Sequence, residues 1–326
     1  MAADAGFDVG AWHEHNAWYA SSRVPAARSD STNAPCPREE GCASDDGGAT
    51  DAWLHQRLGS DVGFDHRVVR HLASGGMAHV FLAEHQKDGA YAAVKFSDPT
   101  CHVARALLRH EATILTRVQH AHIVKLLEAG RSRDGSEYLL LEYLHGLDLE
   151  EWLRRTSSPM TPERLLHVLA QLGSAIDHLH ARNIVHGDIK PANVMFNANG
   201  GDRITLVDFG LAFDRCCTQL NLGSTGTPGY MSPEQLRGEY CGPAVDRFAF
   251  AAVAYELFTG QPLRPGPADE SGPKRAAQAL PFTLNRGAGD ALTEVFLRGL
   301  NEQPEARFNT AAEFVTALAG AIGSTN

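Results

Sequence analysis

Apolar and polar residues alternate through the stretch "FDHRVVRHLASGGMAHVFLAEHQKDGAYAAVKF" (64–96), which is interrupted by a glycine-rich turn and by a second turn. A period of two is typical of half-buried strands, and strands joined by short turns pair antiparallel. The pattern therefore predicts a small antiparallel sheet, to which "IVKLLEAG" (123–130) and "YLLLEYL" (138–144) add two strands.

Helical periodicity appears between these strands and dominates after residue 149. Apolar residues recur every three or four positions in "ARALLRHEATILTRV" (104–118), and then in "LEEWLRR" (149–155) and "PERLLHVLAQLGSAIDHLHARN" (162–183). The sequence thus predicts an α+β protein of two lobes. The N-terminal lobe contains the antiparallel sheet and one main helix, and the larger C-terminal lobe is helical.

Residues 1–60 differ in composition from the rest of the chain. The segment "SSRVPAARSDSTNAPCPREEGCASDDGGATD" (21–51) is rich in Ser, Pro, Gly, Asp and Ala, and it has almost no aliphatic periodicity. Such a composition is typical of a disordered or regulatory extension. Four aromatic residues are unusual in it: Trp12, Trp18, Tyr19 and Trp53. They indicate either packing onto the surface of the domain or a docking segment.

Composition excludes several classes of function. The 326 residues are 43% hydrophobic and 21% charged, and no apolar run approaches the ~18–20 residues of a membrane span. The first residues lack the basic and apolar parts of a secretory signal, so we expect a cytoplasmic protein without a membrane partner. A net charge of −10 argues against nucleic acid as the main partner. Six scattered cysteines without a CxxC spacing indicate neither a zinc site nor a disulfide framework.

In the stretch "IVHGDIKPANVMF" (184–196), Asp188 stands five residues before Asn193, the spacing at which the catalytic loop of a phosphotransferase holds one base and one magnesium ligand. Asp188 is placed to accept the proton of an attacking hydroxyl, Lys190 to neutralise the γ-phosphate, and Asn193 to hold a magnesium ion. The segment "VDFG" (207–210) follows an apolar strand and supplies Asp208 as a second magnesium ligand. An Asp, a Lys and an Asn in one loop also fit a solvated turn, but the Asp-Phe-Gly that follows favours the catalytic interpretation.

These motifs, in this order, resemble those of the eukaryotic-like serine/threonine protein kinases, particularly the bacterial cytosolic members, over residues 64–321. The resemblance implies an N-lobe at about 64–144, a C-lobe at about 145–321, and ATP and Mg²⁺ as cofactors. Lys95 in "AAVKF" is then the phosphate-binding lysine, and Glu111 in "RHEATILTRV" is its carboxylate partner. Protein substrates with Ser or Thr acceptors are the implied partners.

The same resemblance implies the nucleotide contacts. The turn "LASGGMAHVFLA" corresponds to the glycine-rich loop over the phosphates, and "LLLEYLHGLDL" corresponds to the hinge that meets adenine and ribose. The implied contacts are Ala73, Ser74, Gly75, Gly76, Val80, Ala93, Lys95, Leu141, Glu142, Leu144, Asp148 and Met195. Ala73 and Ala78 replace the outer glycines, which predicts a stiffer loop and weaker nucleotide binding. Taken alone, this turn also fits a plain β-hairpin.

Gly187 stands where many protein kinases carry an Arg, and aminoglycoside- and choline-type phosphotransferases share this His-Gly-Asp sequence. Those enzymes lack a segment like "GSTGTPGYMSPEQLRG" (223–238), which resembles the peptide-positioning loop of protein kinases. The resemblance implies that Thr227 hydrogen-bonds near Asp188 and Lys190. It also implies that Asp246 anchors the catalytic loop and that Arg307 pairs with Glu234. The resemblance therefore favours a protein kinase over a small-molecule kinase.

Gly187 bears on regulation, because an Arg at this position normally receives an activation-loop phosphate. We therefore expect activity that does not depend on phosphorylation of Thr218, Ser224 or Thr225, although Arg215 is a basic residue that offers a substitute. Adjacent Cys216 and Cys217 raise a redox alternative. The alternative to an active enzyme is a pseudokinase-like scaffold that binds nucleotide and partners. The altered glycine-rich loop favours that alternative, whereas the intact Lys95, Glu111, Asp188, Asn193 and Asp208 favour the enzyme.

Overall fold

The computed structural model describes residues 53–63, 65–75, 78–156, 159–197, 200–214, 226–239, 242–263 and 289–323. Several sequence predictions fall outside these ranges: Trp12, Trp18, Tyr19, Gly76, Arg215, Cys216, Cys217, Thr218, Ser224 and Thr225. The chain divides into two compact units. The first contains the described residues up to Arg109 and Leu126–Leu147, and the second contains His110–Lys125 and the chain from Asp148 onward.

The first unit is built on a six-stranded antiparallel sheet with the order β1-β2-β3-β4-β6-β5. Its strands are β1 (Asp61–Val62), β2 (His66–Ser74), β3 (Ala78–His85), β4 (Tyr91–Ser97), β5 (Leu126–Arg131) and β6 (Glu137–Glu142). The strand alternation seen in the sequence is confirmed, since every second residue packs into one core. Its members are Val62, Val68, Phe81, Ala83, Ala92, Val94, Phe96, Tyr138 and Leu140.

A helical turn at 53–57, α1, packs on this core ahead of the first strand. Trp53 contacts the apolar cluster, and its indole nitrogen donates to Asp134 at 3.1 Å. Arg57 is only 8% exposed and donates to the hydroxyl of Ser136 at 2.8 Å and to Asp134. Its guanidinium stacks 4.2 Å from the ring centroid of Phe96. The first unit therefore includes residues before 60, although the change of composition predicted its border at about residue 60.

Helix α2 (His102–Leu115) contributes its first turns to the first unit and the rest to the second. The short strand β7 (Leu147–Asp148) lies where the chain passes between the units, three residues beyond the predicted lobe border at 144–145. The second unit contains the short strands β8 (Ile184–Val185), β9 (Val194–Asn197), β10 (Arg203–Leu206) and β11 (Phe213–Asp214). Its helices are α3 (Leu149–Arg155), α4 (Pro162–His180), α5 (Pro233–Leu236), α6 (Pro243–Thr259), α7 (Gly289–Gly299) and α8 (Ala311–Gly323).

Helix ends in the second unit follow local signals. Helix α4 starts at Thr161, whose hydroxyl accepts from the Arg164 N–H, with a proline in the first turn. It ends three residues before the predicted limit because Asn183 adopts a left-handed φ of 59° in the turn that follows. Helix α6 is apolar on nearly all sides and is correspondingly buried. Phe314 on α8 packs against Phe250 on α6 and Phe296 on α7, with ring centroids 5.5 and 5.9 Å away.

The predicted α+β fold with two parts, one sheet-rich and one helical, is confirmed. Among the described helices, none combines the length and the apolar character needed to cross a membrane.

Candidate active site

Five of the predicted nucleotide-binding residues lie on one face of the first unit's sheet. Antiparallel register pairs Ala73 with Val80, Val80 with Lys95, and Ala93 with Leu141. Directly opposed residues point to the same side, and Ala93 and Lys95 are two apart on one strand. This face is the opposite of the one that carries the Phe81 core. The sheet thus gathers these residues into one surface, while Glu142 ends β6 and Leu144 follows it.

Strands β2 and β3, which flank the glycine-rich turn, pair antiparallel up to Ser74 and His79. The Gly75 N–H donates to the Ala78 carbonyl at 2.8 Å, and the Ser74 hydroxyl lies 3.0 Å from His71 Nε2 and 2.8 Å from His79 Nδ1. Ala73 and Ala78 are strand residues, and neither has a positive φ. The outer positions therefore do not need the conformational freedom of glycine, and the alanines there introduce no backbone strain.

In the second unit, Asp188 is surrounded by donors on both carboxylate oxygens. Its Oδ1 accepts from the Thr227 N–H at 3.0 Å and from the Thr227 hydroxyl at 3.1 Å. Its Oδ2 lies 2.9 Å from Lys190 Nζ and accepts from Asn193 Nδ2 at 3.1 Å. Lys190 also donates to the Thr227 hydroxyl at 2.8 Å. The predicted contact of Thr227 with Asp188 and Lys190 is confirmed, and these bonds hold the carboxylate in one orientation.

The β9–β10 hairpin brings Asn193 beside the Asp-Phe-Gly segment. Val194 pairs with Leu206. Next to this pair, the Val207 N–H donates to the Asn193 carbonyl at 3.0 Å. Asp208 follows directly, with a left-handed φ of 62° that Asp tolerates better than most residues. The two predicted magnesium ligands therefore lie close together, although 15 positions separate them in the sequence.

The Phe209 side chain fixes the Asp-Phe-Gly segment in place. Its ring is fully buried and packs edge-on against His186 with the centroids 4.9 Å apart. Its backbone N–H donates to the buried carboxylate of Glu111 at 3.3 Å. Glu111 thus orients the backbone next to Asp208. Its predicted pairing with Lys95 joins residues of different units and stays a prediction.

Asp246, at the start of α6, holds the catalytic loop by its backbone. Its carboxylate accepts from the N–H groups of His186 and Gly187 at 2.9 and 2.8 Å and from His180 Nε2 at 2.8 Å. Burial by itself raises the pKa of Asp246, but the hydrogen bond and charge of His180, with the charge of His186 and the Gly187 N–H, outweigh it and lower that pKa. The predicted anchoring role is confirmed.

Gly187 occupies a conformation that favours glycine. Its φ is +79°, and an added Cβ would lie 3.2 Å from the carbonyl oxygen of Leu211. A side chain there strains the backbone and crowds this oxygen. Its carbonyl accepts from the side-chain amide of Gln235 at 3.1 Å, a contact that the sequence analysis missed.

The Ser-Pro-Glu segment is tied into the second unit at two points. Arg307, whose side chain is fully buried, forms a bidentate pair with Glu234 at 2.6 and 2.7 Å, so the predicted pairing is confirmed. Ser232 and Gln235 form a capping box at the start of α5. The Ser-x-x-Gln pattern is the known signal of such a box and identifies Gln235 as a structured residue from the sequence.

Two other predicted nucleotide contacts lie in the second unit. Met195 is buried on β9 and pairs with Thr205. Asp148 is 1% exposed, and its Oδ1 accepts from the Glu151 N–H at 2.7 Å as the N-cap of α3. The Asp-x-x-Glu pattern is again a capping signal. The structure shows the capping role of Asp148, whereas its contact with ribose stays a prediction.

The chain belongs to the protein kinase family, because residues 66–309 match the protein kinase domain. The resemblance to eukaryotic-like serine/threonine protein kinases is thereby confirmed. Serine/threonine-protein kinase PknH of Mycobacterium bovis is 33% identical over 280 residues, which cover 82% of this chain and 45% of that protein. PknE of Mycobacterium tuberculosis is 32% identical over 287 residues, which cover 85% of this chain and 49% of that protein. This chain therefore spans about half the length, or less, of these curated relatives.

Solved structures agree with this assignment. The crystal structure of a mutant of the Mycobacterium tuberculosis PknI kinase domain matches with a TM-score of 0.62 and 26% identity. The match covers 82% of this chain and 99% of that one.

Proposed function

We propose that this protein is an ATP-dependent serine/threonine protein kinase that transfers the γ-phosphoryl group of ATP to hydroxyls of protein substrates. The observation that carries the proposal is the environment of Asp188, whose carboxylate is oriented by Thr227, Lys190 and Asn193. A carboxylate held in this way accepts the proton of an attacking Ser or Thr hydroxyl. Lys190 stands beside it to stabilise negative charge on the transferred group.

The residues present fit a magnesium ion. The Nδ2 of Asn193 donates to the carbonyl oxygen and the side chain of Asp188, so the amide offers its oxygen as a ligand. The backbone hydrogen bond from Val207 to Asn193 brings the residue before Asp208 next to Asn193, which supports Asp208 as the second ligand. Mg²⁺ prefers such oxygen ligands, and when bound it supplies positive charge to the phosphates. Asn193 and Asp208 would hold it.

The first unit supplies the surface proposed for the nucleotide. Lys95 lies among small and branched apolar side chains on one sheet face, an arrangement that offers an apolar wall to a base and a cation to phosphates. Ala73 and Ala78 lie on paired strands without a positive φ, so these alanines lend little support to the scaffold alternative. We further propose that the reaction takes place in the cytoplasm, where ATP is available.

The test is transfer from labelled ATP with magnesium, by the full chain alone and with a generic basic acceptor protein. We expect Asp188→Ala, Asp208→Ala and Lys95→Ala each to lower turnover by ~10³-fold or more while the proteins remain folded. Asp202→Asn is the matched control, because Asp202 pairs with Arg164 at 2.6 Å and takes no part in the proposed chemistry.

Nucleotide binding without transfer by the wild-type protein would support the scaffold instead. Wild-type turnover in a folded Asp188 or Asp208 variant would contradict the assigned roles. Phosphoamino-acid analysis of the product separates Ser/Thr transfer from transfer to Tyr or to a small molecule.

A further inference from the structure

The peptide bond that leads into Asp188 is held by groups from outside the catalytic loop. The Gly187 N–H donates to Asp246, and the Gly187 carbonyl, which belongs to the bond to Asp188, accepts from Gln235 Nε2 at 3.1 Å. The N–H of this same bond points to the His186 ring at 3.4 Å. Glycine has the widest range of backbone conformations, and Gly187 has no side chain of its own to restrict them. Its conformation therefore depends on these partners.

Gln235 is itself fixed by its neighbours. It is 5% exposed, and its Oε1 accepts from the N–H and the hydroxyl of Ser232 at 3.0 and 3.1 Å. A backbone N–H can only donate and a carbonyl can only accept, so these two partners set which end of the amide faces Gly187. The adjacent Glu234 is locked to Arg307. Gln235 therefore links the firmly held start of α5 to the catalytic loop.

We propose that Gln235 is a positioning residue for Asp188: by holding the Gly187 carbonyl, it keeps the proposed base oriented toward the acceptor hydroxyl. In relatives with an Arg at the Gly187 position, a phosphorylated activation loop can order this region. In this chain, Gln235 and α5 hold the backbone at Gly187 in place without a phosphate. The inference rests on the proposed kinase function, and it concerns the orientation of the base and not the binding of ATP.

The expected effect separates turnover from nucleotide binding. Loss of the amide donor leaves a partly buried carbonyl without this partner and frees the glycine backbone. Small displacements of a reacting group lower rates steeply. We expect Gln235→Leu and Gln235→Glu to lower kcat by about 10- to 100-fold, with KM for ATP within about threefold of wild type.

Gln235→Glu gives a readout that loss of packing alone does not. The ionised carboxylate keeps the acceptor for the Ser232 N–H but has no donor for Gly187, whereas the protonated form regains one. Burial raises the pKa of a carboxyl, so kcat of this variant relative to wild type should recover as pH falls from about 8 to about 6. The carboxylates of Asp188, Asp246 and Glu234 raise the pKa of the introduced carboxyl further, whereas the positive charges of Arg307, Lys190 and a protonated His186 oppose this rise. The ratio for Gln235→Leu should stay constant.

Gln171→Glu is the matched control. Gln171 is also a buried glutamine whose Oε1 accepts a backbone N–H, from Ile204 at 3.1 Å, and whose Nε2 donates to a carbonyl, of Asp202 at 3.0 Å. It does not contact the catalytic loop residues named above. We expect this variant to lose stability and to keep kcat per folded molecule.

Amide hydrogen exchange of the full chain supplies a readout that does not need activity. Exchange at Gly187 and Asp188 should accelerate in both Gln235 variants and not in Gln171→Glu. The inference is overturned if the folded Gln235 variants keep kcat within about threefold of wild type, or if Gln171→Glu loses as much. If the wild-type protein transfers no phosphate, the proposed function fails, and unchanged exchange at these two amides then overturns the positioning role separately.

Discussion

The Asp148→Asn variant should be more stable than the wild type, by a margin that grows as the pH rises. The reason is that the native site holds a carboxyl where a negative charge is unfavourable. Asp148 is 1% exposed, and its Oδ2 is buried without a hydrogen-bond partner among the described residues. Burial, with the charges of Glu150 and Glu151, outweighs the hydrogen bond from the Glu151 N–H and raises the pKa of Asp148 to about 7. Asn caps helices as well as Asp does, so the substitution removes the charge and retains the cap.

The magnitude follows from the difference between this pKa and the ordinary carboxyl value of 3.8. Between about pH 4 and about pH 7 the unfolded chain releases the proton while the folded chain retains it, so stability falls by about 1.4 kcal/mol per pH unit. The full interval gives about 4 kcal/mol, and local relaxation with water entry reduces this to about 2–4 kcal/mol. A protonated carboxyl and an amide both present a donor at the buried position. The cost of burying an unpaired donor is therefore common to both proteins and cancels in the comparison.

The assay is urea denaturation of both proteins from about pH 5 to about pH 8, followed by tryptophan fluorescence. The free energy of unfolding of Asp148→Asn relative to wild type should grow with pH and level off above about pH 7. Asp65→Asn is the control of opposite sign, because the hydrogen bond from Lys87 lowers the pKa of the exposed Asp65, and its loss removes stability at neutral pH.

A pH-independent difference, or a variant that is less stable than wild type at pH 8, would refute the argument that the site holds a neutral carboxyl. The same variant tests the predicted ribose contact. An unchanged KM for ATP would leave Asp148 with its capping role alone.

Three further outcomes are expected. Arg307→Lys should cost about 2–3 kcal/mol of unfolding free energy, because lysine keeps the charge but cannot reproduce the buried bidentate pair with Glu234; wild-type stability in urea would contradict this. Arg57→Leu should release the 53–57 helix from Asp134 and expose it to limited proteolysis, and protection equal to wild type would show that the Trp53 contacts suffice. Phosphatase treatment should change kcat by less than about threefold, or about 0.6 kcal/mol, because Gly187 offers no cation to a phosphate; a tenfold fall reversed by rephosphorylation would reject that independence. The same limit applies to the triple substitution Thr218→Ala, Ser224→Ala and Thr225→Ala.

The sequence alone determined the strands, most of the helices and the catalytic loop, because these depend on neighbours in the chain. Asp188, Lys190 and Asn193 lie within six positions, so their spacing defines a single loop. Strand alternation likewise places Ala93 and Lys95 on one face, whatever else the chain does. The pairing of Glu234 with Arg307 also came from the sequence, but only through the resemblance to a known family.

Tertiary structure alone decided which polar groups are buried and what they contact. Gln235 meets Gly187 across 48 positions, and Trp53 meets Asp134 across 81. The resemblance implied only a ribose contact for Asp148, and the surrounding chain decides that its carboxyl is removed from water. Composition near residue 60 gave no sign that Arg57 would stack on Phe96. Desolvation and hydrogen bonding at such sites depend on segments remote in sequence, and therefore no local pattern records them.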